Sequence, residues 1–188
     1  MKRLIDFLIG VGCLLLFSPF FLICYLLIKM EDGGSAFFRQ ERIGKGGKPF
    51  YILKFRSMRE DADAHLLVGH ENNENLTRVG KFLRDHHLDE LPQLWNVVRG
   101  DMAFVGPRPE RKYYIDQIMQ HDNRYERLYA LRPGVTSYAT LHNGYTDTME
   151  KMLIRLEMDL YYLEHHSLWL DAKILLQTFF YIIFGKKF

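Results

Sequence analysis

The chain has 188 residues, enough for one domain with a sizeable core. With 48% hydrophobic and 26% charged residues, it is neither disordered nor buried in lipid throughout. A net charge of +2 gives no whole-protein case for nucleic acid as a partner.

Met1-Lys2-Arg3 is followed by an apolar run over residues 4–28. It is longer than the ~7–15-residue core of a signal peptide and has no small-residue cleavage site before Lys29. It reads as a retained membrane segment. Ser18-Pro19 falls in its middle, where proline removes a donor and collides with the preceding turn, so a kink is expected. Positive charge flanks both ends, Lys2 and Arg3 before, Lys29, Arg39 and Arg42 after. Both ends then belong on the cytoplasmic side, which predicts a re-entrant hairpin dipping into one leaflet. An ordinary kinked span is the alternative. Asp6 needs a partner or an interfacial position. Cys13 and Cys24 lie inside this run and read as small hydrophobes; they suit a reducing compartment and no metal site.

Gly33-Gly34 marks a turn, and two strands follow around Gly44-Lys45-Gly46-Gly47. No Ser or Thr follows Lys48, and Pro49 would spoil the helix that a phosphate loop requires, so this is a hairpin tip. Arg39, Gln40 and Arg42 on one strand, with Lys54 and Arg56 on the other, make a basic ribbon. Such a block suits anionic lipid heads or phosphate substrates, or is a solvated face. Residues 59–75 read as a surface helix and loop, and His65 and His70, five apart, miss the spacing of helical metal ligands. A further helix opens at Thr77.

Residues 88–110, LDELPQLWNVVRGDMAFVGPRPE, organise the rest. Pro92 is tolerated only in a first turn, so a helix starts close to Asp89 and Glu90. Leu91, Leu94, Trp95 and Val98 recur at helical spacing and predict its buried face. A carboxylate at that helix start serves as nucleophile, metal ligand or cap. Arg84 precedes the pair, and Arg108-Pro109 and Arg132-Pro133 follow, guanidiniums on stiff supports suited to phosphate. His86-His87 reads as a connector. Residues 110–131 look helical, residues 135–145 look β-prone with an Asn143-Gly144 turn, and 149–165 form a periodic helix with Met152, Leu156, Leu160 and Leu163 on one face. Residues 169–184, followed by Lys186-Lys187, suit a helix in a membrane interface, with a buried core helix as the alternative.

The chain resembles the bacterial sugar transferases, the monotopic phosphoglycosyl transferases that start assembly of cell-surface glycans. The resemblance rests on Lys2-Arg3 with Asp6, Ser18-Pro19, Phe38-Arg39-Gln40 with Arg42 and Gly44, and Lys54-Phe55-Arg56-Ser57-Met58. Its most specific part is Leu88-Asp89-Glu90-Leu91-Pro92-Gln93-Leu94 with Asn96-Val97, Gly100-Asp101-Met102, Val105-Gly106-Pro107-Arg108-Pro109 and Arg132-Pro133-Gly134. It implies transfer of a sugar-1-phosphate from a UDP-sugar to polyprenyl (undecaprenyl) phosphate in the bacterial inner membrane, with release of UMP. It implies Mg2+ and a covalent phosphosugar on aspartate. Carried onto this chain, Asp89 would be the nucleophile and a magnesium contact, and Glu90 its acid/base or electrostatic partner. Lys54, Arg56, Arg84, Arg108 and Arg132, with Arg39 and Gln40, would surround the substrate phosphates. The implied fold is α/β, mixed and helix-rich: a re-entrant helix over residues 1–30, then a catalytic domain over 31–188 on the cytoplasmic face, ending in an interfacial helix.

There are departures. His87 stands where the family commonly has a small residue. After Arg132-Pro133-Gly134, Thr140 replaces a Gln, an extra residue precedes Asn143, and Tyr145 replaces an Arg, which bears on donor preference. The chain lacks the extra N-terminal helices of longer relatives and looks like the minimal form. Two other classes compete: a metal-dependent phosphohydrolase needing no acceptor, and a non-enzymatic membrane scaffold in which Asp89 is only a cap. A homodimer stays open, although no segment reads as its interface.

Overall fold

The computed structural model describes residues 1–59, 75–144, 146 and 148–184. The segment with His65 and His70, Tyr145, and Lys186-Lys187 lie outside the described residues.

The apolar run folds as two helices, α1 (Lys2–Leu16) and α2 (Ser18–Asp32), bent by 59° at Phe17. Pro19 falls in the first turn of α2, where its missing N–H costs nothing. Ser18 Oγ donates to Leu15 O at 2.8 Å, satisfying one carbonyl released by the break. Among the described residues no single helix is long and apolar enough to cross a membrane; the bent pair passes that test only together. Each arm buries one side. Asp6 and Gly10 of α1, and Cys24 and Ile28 of α2, are covered, while Leu8, Leu16, Leu22 and Leu26 are exposed. Buried Asp6 lies near Lys2 and the backbone of Phe104.

The predicted hairpin forms. Strands β1 (Phe37–Ile43) and β2 (Pro49–Phe55) pair antiparallel around a tight turn at Lys45–Gly47. Phe38 pairs with Lys54 and Gln40 with Ile52, so Gln40, Arg42 and Lys54 share one face. Arg39 pairs with Leu53 and points to the other. Phe55 packs with Cys24, Ile28 and Leu83, tying β2 to α2 and to α3 (Arg78–Asp85). Thr77 caps α3 as its sequence predicts, its Oγ1 accepting from Gly80 N at 2.9 Å. Glu31, at the end of α2, accepts from Arg78 N at 2.6 Å and Val79 N at 3.1 Å, two further free donors of that helix.

Helix α4 (Gln93–Arg99) departs from its predicted face. Leu94 and Val97 are buried, but Trp95 is 54% exposed and Asn96 is 2% exposed. The reason is a polar substitute for a strand. Asn96 Oδ1 accepts from Leu53 N at 3.0 Å and its Nδ2 donates to Tyr51 O at 2.7 Å, so the side chain continues the edge of β2. At its far end, α4 is closed by left-handed Gly100 and by Arg3, which donates to Val97 O and Val98 O at 2.6 Å each. Gly10 of α1 lies against Val97 and Val98.

Two short strands, β3 (Ala103–Val105) and β4 (Gly134–Thr136), pair in parallel. Their crossover holds α5 (Lys112–His121) and a 3-10 stretch, Asn123–Ala130. The single helix expected over 110–131 is therefore broken at Asp122, whose carboxylate caps the new turn by accepting from Arg124 N at 2.9 Å. The β-prone segment after Gly134 is a strand only to Thr136. Ser137 then accepts from Thr140 N at 2.9 Å and starts α6 (Tyr138–Asn143), so the capping signal prevails over β propensity. Helix α7 (Met149–His165) buries Leu156 and Leu160, with Met152 and Leu163 packed alongside, as its period predicts. Helix α8 (Leu168–Ile183) has two faces: Asp171 and Ile174 are buried, while Trp169, Leu176 and Phe179 are exposed. Lys2 bonds Asp171 and Val105 O, and Tyr162 donates to Asp171, which pins the start of α1 to α8.

Candidate active site

Asp89 and Glu90 lie on a 3-10 turn, Leu88–Glu90, that precedes α4. A helix does start close to the acid pair, at Gln93, but Pro92 is its N-cap rather than a first-turn residue, and the pair lies on the turn just before it. His87 enters the turn at φ 54°, in the left-handed region, which is uncommon for a residue with a side chain. A small residue would take that backbone more easily. Asn96, on the helix that directly follows the turn, is bonded to β2, the strand that carries Lys54.

Asp89 is 8% exposed, and among the described residues none donates a hydrogen bond to its carboxylate. Burial and the neighbouring Glu90 charge push Asp89 above the usual carboxylate range, against the pull of Lys54, Arg84 and His87. Glu90 shows the opposite. Burial would raise it, but Lys54 and Arg108 outweigh that, and Lys54 Nζ donates to Glu90 Oε1 at 2.6 Å. Glu90 is held well below the usual range and is ionised at neutral pH. Two adjacent acids thus have opposite tendencies. One is a fixed anion; the other is a carboxylate raised by burial and by that anion, with no hydrogen-bond donor among the described residues.

The structure brings together Lys54, Arg84, His87 and Arg108 around the pair. Arg84 is steadied by Ser57, whose Oγ accepts from Arg84 Nε at 2.8 Å. Arg108 is exposed at the end of the rigid Gly106-Pro107 turn and lines a cleft with Gly44, Tyr129 and Pro133. Gln40 lies on the Lys54 face of the hairpin, where its Oε1 accepts from Arg42 at 2.5 Å. Three expected groups stand apart. Arg39 is on the opposite face of β1 and exposed. Arg56 is buried and ion-paired to Asp32 at the end of α2. Arg132 donates through Nε to Gly100 O at 2.9 Å, which joins β4 to the end of α4. Strand alternation separates Arg39 from the site, and the long-range pairing of Arg56 leaves no sequence signal.

Sequence reasoning missed Asn96 and Ser57 as supports and Arg42 as a neighbour of the site. Arg42 is held by Glu110 at 3.4 Å and feels both Arg108 and Glu90. Burial and the cations Arg108 and Arg111 lower it to about 10, against the pull of Glu110 and Glu90.

Among the described residues no group of three or more His, Cys, Asp or Glu converges to hold a metal ion. The Asp89 carboxylate, which stands beside Glu90 and accepts no hydrogen bond among the described residues, fits a different arrangement. Magnesium is commonly held by one or two carboxylates, with substrate phosphate and water completing its shell.

Known proteins match nearly the whole chain. The family described as bacterial sugar transferase matches residues 1–185. The chain is 40% identical over 185 residues to UDP-N-acetylgalactosamine-undecaprenyl-phosphate N-acetylgalactosaminephosphotransferase of Aeromonas hydrophila, covering 98% of this chain and 44% of that one. It is 42% identical over 181 residues to UDP-glucose:undecaprenyl-phosphate glucose-1-phosphate transferase of Caulobacter vibrioides, covering 94% of this chain and 67% of that one. It is 37% identical over 185 residues to exopolysaccharide production protein PSS of Rhizobium leguminosarum bv. phaseoli, covering 95% and 92%. The chain spans less than half of the Aeromonas relative.

Proposed function

The chain belongs to the bacterial sugar transferase family, and from that premise we propose that it moves a sugar-1-phosphate from a UDP-sugar to membrane polyprenyl phosphate. The observation that carries the mechanism is Asp89: nearly buried, without a hydrogen-bond donor among the described residues, and set between cations. An Asp89 oxygen forms a bond to the phosphorus that bears the sugar. The bond from that phosphorus to the bridging oxygen breaks, and UMP leaves with its electron pair. An oxygen of polyprenyl phosphate then attacks the same phosphorus and breaks its bond to Asp89, which restores the carboxylate.

Glu90, held ionised by Lys54 and Arg108, is the electrostatic partner rather than the acid; a carboxylate held this low is a weak base. Lys54, Arg84 and Arg108 offset the diphosphate charge that Asp89 must approach. Asp89, with Glu90 beside it, would hold magnesium jointly with the donor diphosphate. When bound, the ion neutralises phosphate oxygens and lowers the repulsion to an incoming carboxylate.

A polyprenyl acceptor stays in the bilayer, so the site must work at a membrane face. The exposed apolar sides of α1, α2 and α8 supply that contact, with α1 and α2 dipping into the cytoplasmic leaflet of the inner membrane and returning. The relatives differ in sugar, so donor choice is tested with UDP-glucose and UDP-N-acetylgalactosamine together. UMP release with magnesium that requires polyprenyl phosphate supports transfer. Equal turnover without acceptor identifies a hydrolase.

A further inference from the structure

Two aromatic side chains flank the acid pair in the open. Phe82 of α3 and Trp95 of α4 are each 54% exposed. A single exposed hydrophobe is ordinary. What sets these two apart is where their helices are fastened. Glu31, in the last turn of α2, holds the start of α3, accepting from Arg78 N at 2.6 Å and Val79 N at 3.1 Å. Arg3, in the first turn of α1, holds the end of α4, donating to Val97 O and Val98 O at 2.6 Å each. Val79, one turn from Phe82, packs on the cluster that contains Cys24 and Ile28 of α2. Val98, one turn from Trp95, lies against Gly10 of α1.

The two attachment points are the two ends of the apolar run. With α1 and α2 dipping into one leaflet and returning, both ends stand at the level of the lipid head groups, and the helices tied to them stand there too. Helix α3 has eight residues and α4 seven, so at ~1.5 Å per residue neither runs farther than about 12 Å from its attachment. The turn that bears Asp89 and Glu90 joins the two. A tryptophan at the boundary of water and lipid is in its preferred place. The charge agrees. Arg78, Lys81 and Arg99 are exposed on the same two helices, against one exposed acid, Asp85. Arg99 also pairs with Asp101 at 3.5 Å. Such an excess of cations suits anionic head groups.

We propose that Phe82 and Trp95 form a second contact with the bilayer, at head-group level on the side of the acid pair, over which the phosphate end of the lipid acceptor comes to Asp89. The occupant of this surface is an anionic lipid leaflet. The inference rests on the reading of α1 and α2 as a re-entrant hairpin. It adds the helices on either side of the acid pair to the lipid-facing surface of α1, α2 and α8.

Trp95 reads the contact directly. The chain has two tryptophans, so Trp169→Phe leaves Trp95 as the sole emitter. The full chain is placed in vesicles of anionic phospholipid whose acyl chains carry bromine either just below the head group or near the chain end. Trp95 emission should fall with the shallow bromine, fall less with the deep one, and resist iodide in the water. Phe82→Ala combined with Trp95→Ala should raise KM for polyprenyl phosphate by ~10-fold, the scale of one part-buried aromatic ring, while the phosphosugar adduct still forms from the UDP-sugar within ~3-fold of the wild-type rate. Tyr113→Ala, which removes an exposed ring of α5, should change neither. Iodide quenching without bromine quenching overturns the lipid contact. Shielding from both shows a protein partner and overturns it as well. An unchanged acceptor KM in the double variant overturns the acceptor route. The hairpin is checked separately: in inside-out membrane vesicles an impermeant amine reagent should reach both Met1 and Lys29, and labelling of one alone refutes the hairpin, and the inference with it.

Discussion

Replacing Gly106 by Ala should damage the site without touching either acid. A Cβ built at Gly106 would stand 2.3 Å from Arg132 O, 2.9 Å from Gly134 N and 3.1 Å from Pro133 C. All three are backbone atoms, so no rotamer relieves the overlap. An ordinary carbon contact needs about 3.5 Å, so β3 and β4 must part by roughly 1 Å at this point. Overpacking of this kind costs about 1–3 kcal/mol. In a protein of this size that lowers Tm by roughly 2–10 °C. Arg108 lies two residues beyond Gly106 and moves with the strand, and an ångström's displacement of a positioning group costs up to ~100-fold in rate. Gly12→Ala is the control, since its methyl would meet nothing within 4 Å. The assay is UMP release, with Tm read by differential scanning fluorimetry on the same preparations. If Gly106→Ala turns over within ~3-fold of wild type at an unchanged Tm, the close approach of the two strands does not position Arg108.

Lys54→Met removes the 2.6 Å bond to Glu90 and should cost about 1.5–3 kcal/mol at pH 7. Glu90 is depressed from 4.5 to about 2, so its stabilisation is present above pH 4.5 and is lost as pH falls through about 2. The Tm gap between wild type and Lys54→Met should therefore narrow on acidification from pH 7 to pH 3; a constant gap would show that Lys54 stabilises by packing instead. Arg84→Ala should lower kcat by ~10–100-fold, while Arg39→Ala, on the far face of β1, should stay within ~3-fold. Equal losses in the two would contradict the hairpin register as the divider between site and surface.

The elements that sequence reading recovered are those whose signals are local. Ser18-Pro19 carries its own break, the glycine tip its own hairpin, and Thr77 its own cap. The apolar period of α7 needs only its own residues to be recognised. The misplaced features depend on partners distant in sequence. Trp95 looked like core, but Asn96 is 45 residues from Tyr51, and only the fold shows that its amide replaces a strand neighbour. Arg56 looked like a phosphate ligand until α2 delivered Asp32 to it. Arg39 stood apart from Gln40 and Arg42 by simple alternation, but the face that holds the site was set by Lys54 on the opposite strand. Within the site, the acid pair was legible as a motif. Its division into one lowered and one raised carboxylate was not, because that depends on where Lys54, Arg84 and Arg108 arrive.

The most direct test of the mechanism is intact mass spectrometry of the protein after incubation with magnesium and a UDP-sugar, without acceptor. The expected result is an added mass equal to one phosphosugar, mapped to Asp89, absent in Asp89→Asn, and discharged when polyprenyl phosphate is added. Acceptor-dependent UMP release from a protein that never carries this adduct, or an adduct that persists in Asp89→Asn, would contradict the assignment of Asp89 as nucleophile.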